Sequence, residues 1–150
     1  MLSKEYYMNA SLALAREALL AGEVPVGCVI VDAAGAVVAT GRNRREESGD
    51  ATAHAEIEAI RSACQKRRSW HLEDCTLYVT LEPCPMCAGA ILNARIGTVV
   101  YGAREQKSGS CGSVIDLFSE NYEFHPKVYA GILSDSCADI LKEFFQSLRQ

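Results

Sequence analysis

Two short motifs in this sequence combine residue types that bind metal ions and transfer protons. The first is HAE at 54–56, and the second is PCPMC at 83–87. Cys84 and Cys87 are three residues apart, and on a helix this spacing places both sulfur atoms on one face, within reach of a single ion. Zinc accepts thiolate and imidazole ligands in a tetrahedron, so His54 offers a third ligand. Three protein ligands leave a fourth position open for water, which is typical of a catalytic zinc site.

The position of Cys84 at a predicted helix N-terminus and the carboxylate of Glu56 both bear on proton transfer at these motifs. The amino end of a helix carries partial positive charge that lowers the pKa of a thiol, which favours the thiolate form of Cys84. Glu56 lies two residues after His54, and at a helix N-terminus both side chains can converge on one pocket. A carboxylate beside zinc-activated water can accept a proton and return it elsewhere. The two motifs therefore favour a catalytic zinc site with Glu56 as the proton carrier.

The C-x-x-C spacing alone leaves two other roles open, half of a structural zinc site and a redox pair. A structural zinc site needs four protein ligands, and neither His71 nor His125 has a partner at chelating spacing. A thioredoxin-like pair follows a strand in a βαβ unit and needs no His-x-Glu motif elsewhere. Taken together, the two motifs favour the catalytic zinc.

Composition and charge are those of an ordinary globular domain. The chain of 150 residues is long enough for one domain, 1–150, and its 49% apolar and 23% charged residues argue against disorder. No stretch approaches the roughly eighteen apolar residues of a membrane span, and the first residues lack the pattern of a secretory signal. We therefore expect a cytoplasmic protein that does not enter a membrane.

Cysteine number and net charge restrict the chemistry further. Seven cysteines without a secretory signal argue against a disulfide framework, so most of those outside 83–87 should be buried free thiols. These are Cys28, Cys64, Cys75, Cys111 and Cys137. The net charge of −4 does not indicate a nucleic-acid-binding protein, although basic clusters occur at 42–45 and 66–68. Solvated surface charges would account for either cluster taken alone.

Apolar periodicity predicts alternating helices and strands that position the two motifs. Helices are predicted over 3–20, 53–66 and 84–94 and at the C-terminus, and strands over 26–31, 37–42, 76–80 and 98–101, with one more strand before the last helix. Thr52 is the predicted cap of the second helix, and 32–35 is a hairpin turn. The last helix carries an apolar stripe of Cys137, Ile140, Leu141, Phe144, Phe145 and Leu148. Such alternation predicts a three-layer α/β/α sandwich.

The combination of H-x-E with P-C-x-x-C is a known signature of the zinc nucleobase deaminases. Over nearly its whole length the sequence resembles the cytidine-deaminase-like superfamily, and within it the bacterial tRNA adenosine deaminases. The zinc motifs indicate only the superfamily, whereas two further runs narrow the resemblance to the branch that holds tRNA adenosine, guanine and some cytosine deaminases. MCAGAI at 86–91 and GAR at 102–104 are the two runs that narrow the resemblance to this branch. The other matching runs include GEVPVG at 22–27, TAHAEI at 52–57 and LYVTLEPC at 77–84.

The resemblance implies a cytidine-deaminase-like fold with a mixed five-stranded sheet, one Zn²⁺ per subunit on His54, Cys84 and Cys87, and Glu56 as the proton shuttle. The implied substrate-binding residues are Asn43, Ala55, Pro83, Glu105 and Lys107. Of these, Asn43 would bond the base or its ribose, and the backbone at Ala55 and Pro83 would contact the base edge and the departing amino group. The family acts as a homodimer on the anticodon loop of tRNA and converts the wobble adenosine to inosine.

Two alternatives to tRNA editing remain at this point. One is a deaminase of a free nucleobase or nucleoside such as guanine or cytosine, because the pocket chemistry is shared. The other is a non-catalytic zinc module or a regulatory partner of another deaminase, which predicts a missing glutamate or a fourth protein ligand. The sequence departs from the family at 122–126, which reads YEFHP where the family has an Asn-His pair, and at Glu105, where an aspartate is common. An RNA substrate predicts steep salt dependence, and a free base does not.

Overall fold

A mixed sheet of five strands forms the centre of the fold in the computed structural model, which describes residues 2–149. The strands are β1 (Gly27–Val31), β2 (Val37–Arg42), β3 (Thr76–Leu81), β4 (Thr98–Ala103) and β5 (Lys127–Tyr129). Their order across the sheet is β2-β1-β3-β4-β5. β1 is antiparallel to β2 and β3, whereas β4 is parallel to both of its neighbours, β3 and β5. The predicted mixed five-stranded sheet is confirmed.

Helices cover both faces of this sheet. They are α1 (Lys4–Leu20), α2 (Arg45–Ser48), α3 (Ala55–Arg67), α4 (Pro85–Ala94) and α5 (Ser134–Leu148). α1 and α5 pack on one face, and α3 and α4 pack on the other. The predicted three-layer α/β/α sandwich is therefore confirmed. Within residues 2–149, none of the helices has the length and apolar character required to cross a membrane.

Strand residues alternate between two buried clusters, as expected for a sheet covered on both sides. In β1, Cys28 and Ile30 point into the cluster under α3 and α4, whereas Val29 and Val31 point into the cluster under α1 and α5. α3 approaches β2 closely, since a Cβ atom at Gly41 would lie 2.7 Å from the backbone nitrogen of Ala59. This close packing holds the amino end of α3 beside the sheet.

The structure corrects two predicted helix starts. α3 begins at Ala55 with His54 as its N-cap, two residues later than predicted. Thr52 does not cap it, because its hydroxyl donates to the Asp50 carboxylate at 2.7 Å. α4 begins at Pro85 with Cys84 as its N-cap. Both changes move a metal-binding side chain from the first helical turn to the residue that precedes the helix.

The apolar stripe of α5 divides into two parts. Cys137, Ile140 and Phe144 are buried against the sheet, but Phe145 and Leu148 are 47% and 66% exposed. The exposed part lines a groove of 570 Å³ together with Lys107, Leu141, Lys142, Gln146 and Arg149. All seven cysteines are free thiols, and the five outside the 83–87 motif are buried except for Cys64, which is half-buried.

Candidate active site

Three metal-binding side chains converge at the amino ends of α3 and α4. The Nδ1 atom of His54 lies 3.6 Å from the Sγ atom of Cys84 and 3.5 Å from the Sγ atom of Cys87. All three ligand atoms lie within 4.8 Å of one another. No other group of three or more His, Cys, Asp or Glu side chains with such spacing occurs in residues 2–149. The residues predicted as zinc ligands are therefore brought together.

Their positions follow from the way in which the two helices begin. His54 and Cys84 are N-cap residues with extended backbone conformations, and neither side chain caps its own helix. Pro85 occupies the first turn of α4, where the missing N–H of proline costs nothing. Cys87 follows Cys84 by about one helical turn. The three side chains therefore remain available for a metal ion.

The donor atoms fit zinc in spacing and in chemistry. In a tetrahedral site, zinc–nitrogen and zinc–sulfur bonds of about 2.1 and 2.3 Å place neighbouring nitrogen and sulfur ligands roughly 3.6 Å apart. The observed distances between His54 Nδ1 and the two sulfur atoms are 3.6 and 3.5 Å. Imidazole and thiolate ligands suit zinc, whereas magnesium and calcium prefer oxygen. Three ligands from the chain leave room for water or substrate, as in catalytic zinc sites.

Glu56 is a buried acid in the same site. It is the second residue of α3, is 4% exposed and lines the same cavity as His54 and Cys84. Burial raises the pKa of Glu56 to about 7. A carboxyl group with a pKa near the working pH can both accept and donate a proton, as a general acid–base catalyst must. His54 and Glu56 converge because His54 precedes the helix, so they need not share a helical face.

The two thiols differ in acidity. Hydrogen bonding by the Cys87 thiol, followed by that of His54, lowers the pKa of Cys84 to about 4. The pKa of Cys87 is raised, because its thiol is engaged with Cys84 and because it is buried. Cys84 is therefore a thiolate before any metal binds. Cys87 must lose its proton when a cation arrives, so metal binding releases a proton.

A cavity of 190 Å³ contains this site. Its lining combines apolar and polar side chains, which suits a planar ring with polar edges. The apolar lining residues are Val24, Val26, Ala55 and Leu81, and the polar ones besides His54, Glu56 and Cys84 are Asn43, Arg45, Glu82, Glu105 and Ser108.

Three of the five residues predicted to bind substrate line this cavity, namely Asn43, Ala55 and Glu105. The Asn43 side chain is held by backbone groups. Its Nδ2 donates to the Val24 carbonyl at 3.2 Å, and its Oδ1 accepts from the Arg45 N–H at 3.0 Å. Asn43 therefore presents a fixed amide at the cavity wall.

Pro83 and Lys107 are not among the residues that line the cavity. The Pro83 carbonyl accepts a hydrogen bond from the Ser110 N–H at 2.9 Å, so it faces the segment that follows β4. Lys107 lies instead in the groove along α5. The structure thus places Lys107 outside the cavity, beside the exposed apolar residues of the last helix.

Arg45 lines the cavity, although the sequence marked it only as part of a basic cluster. Arg42 and Arg44 both pair with Glu47, at 2.6 and 3.3 Å. Within residues 2–149, Arg45 forms no such ion pair. Of the cluster at 42–45, Arg45 is thus the arginine available to an anionic ligand at the cavity.

Glu82 was not predicted as a site residue, yet it is 2% exposed and lies at the cavity wall. Burial acts to raise its pKa, but hydrogen bonds from Ser113 and from the amides of Cys111 and Glu105 outweigh burial and lower it. Glu82 is therefore an anion at neutral pH. A charged residue directly after a buried strand is the sequence signal that could have identified it.

Zinc deaminases that act on nucleobases combine a His-Cys-Cys metal site with a glutamate that carries protons and is not itself a ligand. The fold and the site described above define the same class, that of the cytidine-deaminase-like enzymes. Residues 2–149 match the family of MafB19-like deaminases. The chain belongs to this deaminase family.

Individual similar proteins extend this comparison. The tRNA-specific adenosine deaminase of Bacillus subtilis is 41% identical over 151 residues, which cover 100% of this chain and 93% of the relative. The tRNA(Ile)-lysidine synthase of Deinococcus radiodurans is 47% identical over 143 residues, 95% of this chain but 25% of the relative, so the chain spans about a quarter of that protein. A solved structure from a study of A-to-I editing by tRNA:A34 deaminases at the wobble position has a TM-score of 0.86 and 44% identity, covering 90% of this chain and 98% of the other.

Proposed function

We propose that this protein catalyses the zinc-dependent hydrolytic deamination of the wobble adenosine to inosine in a tRNA anticodon loop. The observation that carries the deamination is the buried Glu56, which lines one cavity with His54 and Cys84, two members of the cluster that Cys87 completes. Similarity along the whole chain to a tRNA-specific adenosine deaminase supports the choice of substrate.

The chain's own residues account for the proton transfers. His54, Cys84 and Cys87 would hold one zinc ion, which when bound supplies a Lewis acid that lowers the pKa of water. Glu56 accepts a proton from the attacking water at its carboxylate and delivers it to the ring nitrogen next to C6 of adenine. It then takes the remaining proton from the new hydroxyl group on C6 and gives it to the exocyclic nitrogen, so that the carbon–nitrogen bond breaks and ammonia leaves. Each turnover consumes adenosine and water and releases inosine and ammonia.

The cavity walls would hold the base. Asn43, Ala55 and Glu105 line the cavity and are the proposed contacts of the base and its ribose. No substrate contact is proposed for Pro83, because it does not line the cavity and its carbonyl accepts from the Ser110 N–H. Lys107 lies in the groove along α5, where it would meet RNA phosphates. The wobble base is single-stranded, so it can enter the cavity without the breaking of a duplex.

We also propose a cytoplasmic homodimer. A groove beside α4 supports self-association, since it combines the apolar side chains of Leu92, Leu117, Phe124 and the 52% exposed Tyr122 with the polar ones of Asn93, Arg95 and Glu123. Exposed apolar patches of this kind mark protein interfaces. The segment 122–126 would then lie near the subunit boundary.

A parallel assay separates tRNA editing from nucleobase salvage. The zinc-loaded protein is incubated with an anticodon-loop RNA that carries a wobble adenosine, and separately with guanine, cytosine and adenosine. Inosine and ammonia are then measured. Inosine from the RNA alone is the expected result. Ammonia from a free base alone would leave the deaminase chemistry intact and overturn the tRNA substrate.

A further inference from the structure

One wall of the cavity is anchored by a single buried carboxylate, that of Glu82. Its Oε1 accepts hydrogen bonds from the Glu105 N–H at 3.1 Å and from the Ser113 hydroxyl. Its Oε2 accepts from the N–H groups of Cys111 and Ser113, at 3.0 and 3.1 Å. All of these donors belong to the segment 105–113. A carboxylate has about four lone-pair sites, and the four donors of this segment satisfy them.

The segment 105–113 also packs tightly around the carboxylate. A Cβ atom at Gly109 would lie 2.5 Å from the carboxyl carbon of Glu82, so there is no space for a side chain at that position. A second link is the hydrogen bond at 2.9 Å from the Ser110 N–H to the carbonyl of Pro83. The segment is therefore attached at two successive residues, Glu82 and Pro83, directly before the metal ligand Cys84.

This attachment joins the two sides of the cavity. The segment supplies Glu105 and Ser108 to the cavity lining, whereas Glu82 belongs to the stretch that ends in Cys84. We propose that Glu82 is a positioning residue that fixes the 105–113 wall relative to the metal ligands and so determines substrate binding. It does not transfer protons, because its oxygen atoms are occupied by the chain and Glu56 carries that role. The inference rests on the proposed function for the identity of the substrate.

Glu82→Gln tests this role with little change in side-chain size. The amide replaces one carboxylate oxygen by an NH₂ group, which donates and cannot accept. Whichever oxygen it replaces, the NH₂ group faces two hydrogen-bond donors of the segment. The wall is thereby displaced while the metal ligands stay in place. Ser113→Ala and Gly109→Ala disturb the same contact from the side of the segment. Glu5→Gln, an exposed carboxylate on α1, is the matched control.

With the anticodon-loop RNA, we expect Glu82→Gln to raise KM about tenfold, the scale of one lost charge-assisted hydrogen bond, while kcat changes less than about threefold. Zinc content should equal that of the wild type. Ser113→Ala and Gly109→Ala should raise KM in the same direction, and Glu5→Gln should leave it unchanged. Melting temperatures of all variants are measured in parallel.

A purely structural role gives a different pattern. Loss of zinc, or a fall in kcat at unchanged KM that follows the unfolded fraction, would overturn the proposal. If Glu82→Gln does not fold, the KM values of Ser113→Ala and Gly109→Ala decide instead, and unchanged values overturn it. If the wild type acts on guanine or cytosine and not on RNA, the proposed function fails, and the same KM comparison with that base still decides the role of Glu82.

Discussion

Glu56 owes its chemistry to burial. Loss of solvation disfavours the carboxylate and raises its pKa to about 7, although the charge of His54 acts in the opposite direction. A glutamic acid side chain in water has a pKa of about 4.3, so it would almost never carry a proton at neutral pH. The buried position of Glu56 at the start of α3 therefore prepares it to take a proton from one atom and give it to another.

We expect Glu56→Ala to retain zinc and lose turnover. None of the three metal ligands is changed, so the zinc content measured by atomic absorption should match the wild type. Inosine formation should fall at least about 100-fold, because a general acid–base group is worth this much or more. Glu58→Ala, one turn of the same helix from His54, is the control and should keep most of its activity. Substantial turnover by a zinc-loaded Glu56→Ala protein would contradict the shuttle role.

The convergence of His54, Cys84 and Cys87 beside Glu56 was predictable because it depends on short spacings within two motifs. Glu82 was not, since its role depends on a segment more than twenty residues further along the chain, 105–113, which has no periodic pattern. The position of Lys107 was likewise not predictable from the sequence. A resemblance in sequence predicted it as a substrate contact, but only the fold reveals that it lies in the groove along α5 and not in the cavity.

At the scale of helices and strands, periodicity predicted all five strands and the four long helices, but it located their ends less well. Thr52 has the residue type of a helix cap, yet the Asp50 carboxylate binds its hydroxyl and the helix begins after His54. The four-residue helix α2 was missed because four residues carry no measurable period. Its position is set by Glu23, a buried carboxylate that accepts the N–H groups of Glu46 and Glu47 at 2.9 and 2.7 Å.

A metal ion at this site would join two helices, because His54 precedes α3 and both cysteines lie at the start of α4. Zinc at about 100 times its Kd should therefore stabilise the fold by roughly 2.7 kcal/mol and raise Tm by roughly 5–10 °C. Differential scanning calorimetry of the apo and zinc-loaded protein measures this shift. Cys87→Ser should abolish it and Cys64→Ser should preserve it. An equal shift in Cys87→Ser would place the bound zinc elsewhere.

The end of α3 offers a test of helix termination. Arg68 has φ 52° and ψ 41°, a left-handed conformation that costs a residue with a Cβ atom about 1 kcal/mol or more. Arg68→Gly relieves this strain and should raise the free energy of unfolding by roughly 0.5–1 kcal/mol. The gain is smaller than the strain itself, because glycine has more freedom in the unfolded chain. Arg67→Gly is the matched control and should destabilise, because Arg67 is helical and pairs with Asp74 at 2.6 Å. Urea denaturation measures both, and a lower midpoint for Arg68→Gly would contradict the account.

At the scale of the whole molecule, the net charge opposes RNA binding, whereas one local basic surface favours it. The chain carries a net charge of −4, which opposes RNA binding at long range. The groove along α5 nevertheless contains Lys107, Lys142 and Arg149 beside exposed apolar side chains. The cluster at 66–68 lies instead at the carboxyl end of α3, whereas the cavity lies at its amino end. The α5 groove adjoins the cavity along the chain, since Lys107 lines the groove while Glu105 and Ser108 line the cavity, so we expect this basic surface and not 66–68 to contact the RNA.

This arrangement predicts a salt dependence that differs between two variants of equal charge. Removal of two phosphate contacts by Lys107→Ala with Lys142→Ala should make the slope of log K against log salt less negative by about 1.4. Lys66→Ala with Arg68→Ala removes the same charge at the far end of α3 and should leave the slope unchanged. Filter binding of the anticodon-loop RNA over a salt series measures both slopes. Equal changes in both variants would mean that overall charge, and not the groove along α5, governs RNA binding.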